Sequence, residues 1–209
     1  MEILAEVLSK RLQRLPLVWD CGNLATNGNI GFITERIFKD NPEFSKKEVA
    51  SLIQEHLGII EPIFIPEPKH DPMAHADGYL TFIMENRAVV SSYPEHWDKD
   101  DRQYVEKIRR ELKNCEIEVI MIYDSPEAKY YYGTAKKGGI PSARGIYVNF
   151  LQLNDTFIVP EFSFGLSGSP VDYNSKNRRV LEQSGVVIPI NCDGPAKFGG
   201  VLHCMSFSD

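Results

Sequence analysis

The sequence predicts an α/β protein assembled from repeated strand–strand–helix–strand (ββαβ) modules. Three observations predict it. Strand-like and helix-like segments follow one another in that order three times. Turn residues separate the paired strands, and each helical pattern is closed by a short apolar run suited to a buried strand. Such a repeat fits blades set around a pseudo-symmetry axis, each burying its face on its neighbours. An open α/β sheet would use the same alternation. The repetition lies in element order rather than in sequence self-similarity.

The first module begins with strands expected at 17–20 and 30–34. A helix is expected from Ser45 to His56, with Val49, Leu52, Ile53 and Leu57 on one face. Ser45 and Glu48 form a capping box, and Gly58 supplies the stop. A buried strand should then run over 59–65. The second module offers strands at 79–84 and 88–91 around Glu85-Asn86, a helix over 98–114 and a strand over 116–123. In that helix Tyr104, Ile108 and Leu112 recur at i, i+4 and i+8. The third has strands at 145–151 and 156–159 around the turn pair Asn154-Asp155. A helix over 175–183, stopped by Gly185, and a strand over 186–190 complete it. One more strand is expected at 201–206. Residues 1–16 are expected to form a separate N-terminal helix, with Ile3, Leu4, Val7, Leu8 and Leu12 at helical spacing, ahead of one domain over 17–209. The glycine-bearing stretch from Asp124 to Arg144 is the candidate mobile loop or lid.

Composition narrows the function classes. A chain of 209 residues with 43% hydrophobic and 25% charged residues is globular. A formal net charge of -6 leaves no basic excess for phosphates and excludes general nucleic-acid binding. No stretch is long and apolar enough to span a bilayer, and the N-terminus has no uninterrupted apolar core before a cleavage site. The four cysteines, Cys21, Cys115, Cys192 and Cys204, form no CxxC pair. Reduced thiols in a cytoplasmic protein are the simpler expectation. His70, Asp71 and His75 lack a further ligand at helical spacing, so no metal is expected. Lys136-Lys137 before Gly138-Gly139 lacks the phosphate-loop order.

Five motifs, in order, resemble a known family. They are Val18-Trp19-Asp20-Cys21-Gly22-Asn23; Thr34-Glu35-Arg36 with Asn41-Pro42 and Leu57-Gly58; and His75-Ala76-Asp77-Gly78 with Asp71 upstream. Then come Tyr147-Val148-Asn149-Phe150 with Ile158-Val159-Pro160-Glu161-Phe162, and Gly199-Gly200-Val201-Leu202-His203-Cys204. Together they resemble the agmatine deiminases and bacterial-type peptidylarginine deiminases of the guanidine-modifying (pentein) superfamily, over nearly the whole chain from Leu17. The resemblance implies a fivefold β/α propeller, of which this chain would hold three or four modules. Family members carry further residues ahead of the Asp20 motif, with a second guanidinium-binding Asp in an Arg-Asp-x-Gly-Pro-like segment. Only Met1–Pro16 stand there here. The family usually has Glu at the Asp20 position and Gly at the Cys21 position.

The resemblance also implies roles. Cys204 would be the nucleophile, His75 the general acid–base, Asp20 the acid that orients His75, and Asp77 the carboxylate that binds the substrate's guanidinium. The implied reaction is deimination of a guanidino compound, agmatine-like, giving N-carbamoylputrescine and ammonia in polyamine biosynthesis, with no cofactor. A thiolate suits this chemistry because the guanidinium carbon is a poor electrophile and needs a strong, positioned nucleophile. A planar carboxylate suits it because two oxygens face two N–H donors. On a strand, His75 and Asp77 would share one face. His203, on the opposite face of its expected strand, would be structural or supporting, and Cys21 would pack in the core. The expected partner is a small cationic substrate. An open propeller exposes an edge and is expected to form homo-oligomers. The alternatives are a non-catalytic binding or assembly module, favoured by the short N-terminus, and an amidinotransferase, which would need an acceptor amine.

Overall fold

Three sheets of three strands repeat one connection pattern in the protein, seen here in a computed structural model that describes residues 13–69, 71–126, 142–163 and 172–206. The first sheet holds β1 (Ala25–Thr26), β2 (Ile30–Thr34) and β3 (Glu61–Ile65), with α1 (Arg36–Asp40) and α2 (Lys46–Leu57) between β2 and β3. The second holds β4 (Leu80–Met84), β5 (Arg87–Ser92) and β6 (Glu118–Tyr123), with α3 (Lys99–Asn114) before β6. The third holds β7 (Leu151–Leu153), β8 (Thr156–Glu161) and β9 (Val186–Asn191), with α4 (Tyr173–Leu181) before β9; a short α5 (Asp193–Ala196) follows. In each sheet the first pair is antiparallel and the second parallel. A parallel pair needs a crossover, which the helix supplies. The ββαβ modules are therefore present as expected, three among the described residues.

Local chemistry accounts for the helix ends. The Ser45 side chain accepts from the Glu48 amide while Glu48 accepts from the Ser45 amide, and Gly58 turns left-handed at φ 71° to stop α2. Asp98 accepts from the amides of Asp100 and Asp101 at the start of α3, and Asp172 from that of Ser175 at the start of α4. Asn154 takes φ 53° in the β7–β8 turn, a conformation asparagine tolerates.

Three apolar clusters hold the modules together. Val49 and Ile53 of α2 pack on Ile33 of β2, with Leu17 and Trp19 alongside. Tyr104, Val105, Ile108 and Leu112 of α3 join β4 and β5 to Phe32 and Ile65 of the first sheet. Leu181 of α4 joins Val89 and Ile122 of the second sheet to Phe157 and Val159 of the third. Each of α3 and α4 thus serves two sheets, its own and the one before, which is how neighbouring modules bury each other's faces.

Several expectations change. Residues 17–20 form no strand, because Trp19 donates its indole N–H to the Asn23 carbonyl 3.2 Å away and the chain turns into a 3-10 helix over Cys21–Asn23. The strand expected at 145–151 starts only at Leu151, since the residues before it are tied by Asp124, which accepts the Tyr147 amide at 2.6 Å. Residues 201–206 contain a 3-10 helix over His203–Met205 instead of a strand. Of the N-terminal helix expected over 1–16, residues 13–16 are not helical and the rest lies outside the described residues, as do most of the expected lid (127–141) and His70.

Candidate active site

Three short 3-10 turns and the segment around Asn149 carry the candidate residues, and loops anchored on a rigid scaffold are where functional groups concentrate. Asp20 stands just before the turn Cys21–Asn23, and His75 just before the turn Ala76–Gly78. The buried Asn23 accepts the Thr34 amide at 2.8 Å, fixing the first turn to the end of β2. From the same strand end, the Thr34 hydroxyl donates to the Ala74 carbonyl at 2.6 Å, fixing the second. Ala74 itself sits at φ 52°, a strained value for a residue with a Cβ, immediately before His75. Asp20 Oδ2 lies 3.3 Å from His75 Nε2, with Asp20 open to solvent and the imidazole largely covered.

His75 and Asp77 do not share a strand face, because they lie in and beside a 3-10 turn. They converge on Gly22 instead. A Cβ at Gly22 would stand 2.5 Å from His75 Nδ1 and 3.2 Å from Asp77 Oδ1, so only glycine lets the first turn pass this close.

Asp77 is the hub. Asp77 is 2% exposed, and its Oδ2 lies 2.9 Å from His203 Nδ1 and 3.7 Å from Cys204 Sγ. Asn149, equally buried, ties the two halves together. Its side-chain oxygen accepts the Cys204 amide at 3.1 Å, and its side-chain nitrogen donates to the Asp77 carbonyl at 3.3 Å. Its own carbonyl accepts the His203 amide at 3.2 Å. Gly199, at φ 87°, provides the turn that brings this segment in. Among the described residues no hydrogen bond joins Cys204 to His75; the two meet through Asp77 and Gly22.

The electrostatics follow from this geometry. Part of Cys204 faces solvent, but its thiol is tucked against Asp77. Burial first, and the Asp77 charge second, push the Cys204 thiol up to about 11, so it rests protonated at neutral pH. A planar cation set against Asp77 would neutralise that carboxylate and favour the thiolate. Acid, imidazole and sulfur gathered around Asp77 and Gly22 are suited to nucleophilic attack on such a cation.

Of the residues singled out in the sequence, Asp20 meets His75, and Asp77 meets Cys204. His203 was misplaced, because the 3-10 turn aims its ring at Asp77 instead of away from it. Asn149 was visible only as part of a motif; an asparagine inside the apolar run Tyr147–Phe150 was the signal, since a buried amide needs partners. Cys21 is exposed, not core, because its turn bulges outward, whereas Cys192 is buried. Cys115 caps the end of α3. Among the described residues no group of three or more His, Cys, Asp and Glu could hold a metal ion. No helix there is long and apolar enough to cross a membrane.

Comparison with known proteins gives one family and one fold. The family described as Porphyromonas-type peptidyl-arginine deiminase matches residues 2–208. The agmatine deiminase of Stutzerimonas stutzeri is 22% identical over 194 residues, which cover 79% of this chain and 49% of that protein. The chain therefore spans about half the length of this curated relative. A C. jejuni agmatine deiminase with substrate bound superposes with a TM-score of 0.76 at 17% identity, over 97% of this chain and 59% of the other. The agmatine deiminase of Enterococcus faecalis gives 0.76 at 17%, over 98% and 60%.

Proposed function

We propose, from the premise that this chain belongs to the Porphyromonas-type peptidyl-arginine deiminase family, that it carries the machinery of a guanidine deiminase acting on a small agmatine-like cation. The observation that carries the reading is the placement of Cys204 Sγ 3.7 Å from the buried Asp77 carboxylate, with His75 on the other side of the same carboxylate at Gly22. The relatives named as agmatine deiminases support the substrate class.

In this reading Asp77 accepts hydrogen bonds from the guanidinium, and the arriving charge lowers the cost of ionising Cys204. The thiol proton passes to His75, whose imidazolium Asp20 steadies. The thiolate forms a bond to the guanidinium carbon, giving a tetrahedral adduct. His75 gives its proton to the departing nitrogen, the C–N bond breaks and ammonia leaves. An amidino group then remains on sulfur. His75 takes a proton from water, the hydroxide adds to the carbon, the C–S bond breaks as His75 gives its proton to the sulfur, and the hydroxyl proton passes to the released ammonia. A ureido product departs, N-carbamoylputrescine if the substrate is agmatine, and the thiol is restored. No cofactor enters these steps. The four free cysteines suit a reducing compartment, and we place the protein in the cytoplasm.

The test is release of ammonia and of ureido product from agmatine, free arginine and peptidyl-arginine. Turnover of one of them, abolished in Cys204→Ala, is expected. No turnover on any of the three, with Cys204 inert to a cationic haloacetamidine, would overturn the reading. The protonated resting state of Cys204 beside Asp77 favours a second reading, a module that binds a guanidinium cation without turning it over. Labelling of Cys204 without turnover would point there.

A further inference from the structure

Residues 145–150 reach the candidate site without belonging to a sheet, because β7 begins only at Leu151. Their path is set by contacts from the second sheet and the residues just after it. The Ser125 amide donates to the Gly145 carbonyl at 2.8 Å, where a side chain on Gly145 would run into the Ser125 carbonyl, so the two segments lie backbone to backbone. Asp124 Oδ1 then accepts the Tyr147 amide at 2.6 Å, and the Val148 amide faces the same carboxylate. From β4, the Thr81 hydroxyl donates to the Val148 carbonyl at 3.0 Å. The next residue is Asn149.

Asn149 holds both parts of the candidate site, the Cys204 amide on its side-chain oxygen and the Asp77 carbonyl on its side-chain nitrogen. Its own position is only as fixed as that of Tyr147 and Val148. Asp124 is a rigid anchor for them. Directly after β6, its amide donates to the Ser92 carbonyl of β5 at 2.8 Å, and the Ser91 hydroxyl of β5 donates to its Oδ2. Asp124 is fully buried. A carboxyl resists burial unless donors meet it, and two of the donors here are amides of this segment.

We propose that Asp124 is a positioning residue for the nucleophile: with Thr81 it fixes Tyr147 and Val148, and through Asn149 it sets where the Cys204 sulfur stands against Asp77. This rests on the reading of Cys204 as the nucleophile. Neither Asp124 nor Thr81 touches the reacting atoms. Their effect is on aim, and a misplacement of about 1 Å costs about a hundredfold in rate. The turn that carries Asp77 keeps a separate brace, the Thr34 hydroxyl on the Ala74 carbonyl. Loosening the segment therefore frees the sulfur more than the carboxylate that receives the cation.

Three variants of the whole chain test it. Asp124→Ala removes the acceptor, Asp124→Asn keeps an acceptor without the charge, and Thr81→Val removes the hydroxyl at nearly the same volume. Steady-state kinetics on the guanidino substrate that the parent turns over are compared with alkylation of each cysteine by neutral iodoacetamide at pH 8, read by mass spectrometry. In Asp124→Ala, kcat is expected to fall at least about tenfold, and in Thr81→Val about threefold, with KM within about twofold. Cys204 alkylates at least about fivefold faster in both, because burial beside Asp77 is what holds its thiol protonated. Cys192, buried in the same module, stays protected, which a general loosening would not allow. Asp124→Asn recovers most of both effects. Unchanged Cys204 alkylation in Asp124→Ala and Thr81→Val overturns the proposal. So does Cys192 labelling that rises in step with Cys204, an Asp124→Asn variant as impaired as Asp124→Ala, or a loss confined to KM. Should Asp124→Ala fail to fold, Thr81→Val decides by the same readouts. A parent that turns over no guanidino compound sinks the deiminase reading alone, and alkylation then decides what positions Cys204.

Discussion

Asp77 Oδ2 and His203 Nδ1 lie 2.9 Å apart, so the residue just before Cys204 holds the carboxylate that Cys204 touches. The contact fixes the carboxylate beside the sulfur, 3.7 Å from the same oxygen. His203→Ala is expected to lower kcat/KM about five- to thirtyfold, the worth of roughly 1–2 kcal/mol for a charge-assisted hydrogen bond. His203→Asn, which keeps a donor near the same place, recovers part of it. Steady-state kinetics of both variants check this, and an unchanged kcat/KM in His203→Ala would contradict the role.

The raised Cys204 thiol makes a pH prediction. Alkylation of the free protein by neutral iodoacetamide should accelerate with rising pH up to a midpoint near 11, far above the roughly 8.5 of an ordinary thiol. Asp77→Asn removes a neighbouring negative charge and should bring that midpoint down, leaving the part due to burial. Rates of labelling against pH, read by mass spectrometry, decide it.

Gly22 tolerates no side chain. In Gly22→Ala the new Cβ would press on the His75 ring from 2.5 Å, so the imidazole must leave Asp20 or the turn must move. A loss of at least tenfold in kcat is expected, with a stability cost of about 1–3 kcal/mol for the overpacking. Kinetics and thermal melts of the variant measure the two effects separately.

Asp124 supplies a stability signature away from the site. It is fully buried, accepting from the Ser91 hydroxyl and the Tyr147 amide, and burial pushes its carboxyl up to about 7. The unfolded chain loses this proton near 3.9, so between about 4 and 7 the folded state holds a proton that the unfolded state does not. Its contribution is full below the unfolded value and is lost as pH rises through 7. Asp124→Asn should flatten that decline, which amounts to at most roughly 4 kcal/mol. Urea melts of both proteins at pH 4.5 and pH 8 compare the slopes.

The modules were legible in the sequence because their signals are local. Ser45 with Glu48, the i, i+4, i+8 row of Tyr104, Ile108 and Leu112, and the Asn154-Asp155 turn act within a few residues. The candidate site was legible as a set of motif residues and not as geometry. Periodicity gave no hint that His203 and Cys204 lie in a 3-10 turn, because alternation in so short a run fits a strand equally well. The strand expected at 145–151 failed for a tertiary reason: Asp124, over twenty residues earlier, captures the Tyr147 amide. Cys21 looked like a core residue by composition, but the tight turn that admits Gly22 to the His75 ring swings its neighbour outward.

Asn149 belongs to the third module and Asp77 to the second, and the Cys204 amide hangs on the first of them. No single module therefore holds the whole candidate site. A transient opening of the third module, too small to unfold the rest, would release the sulfur from its carboxylate and leave two harmless halves. Reactivity thus reports the integrity of a junction, and hydrogen exchange at the Cys204 amide would follow the opening of that junction rather than global unfolding.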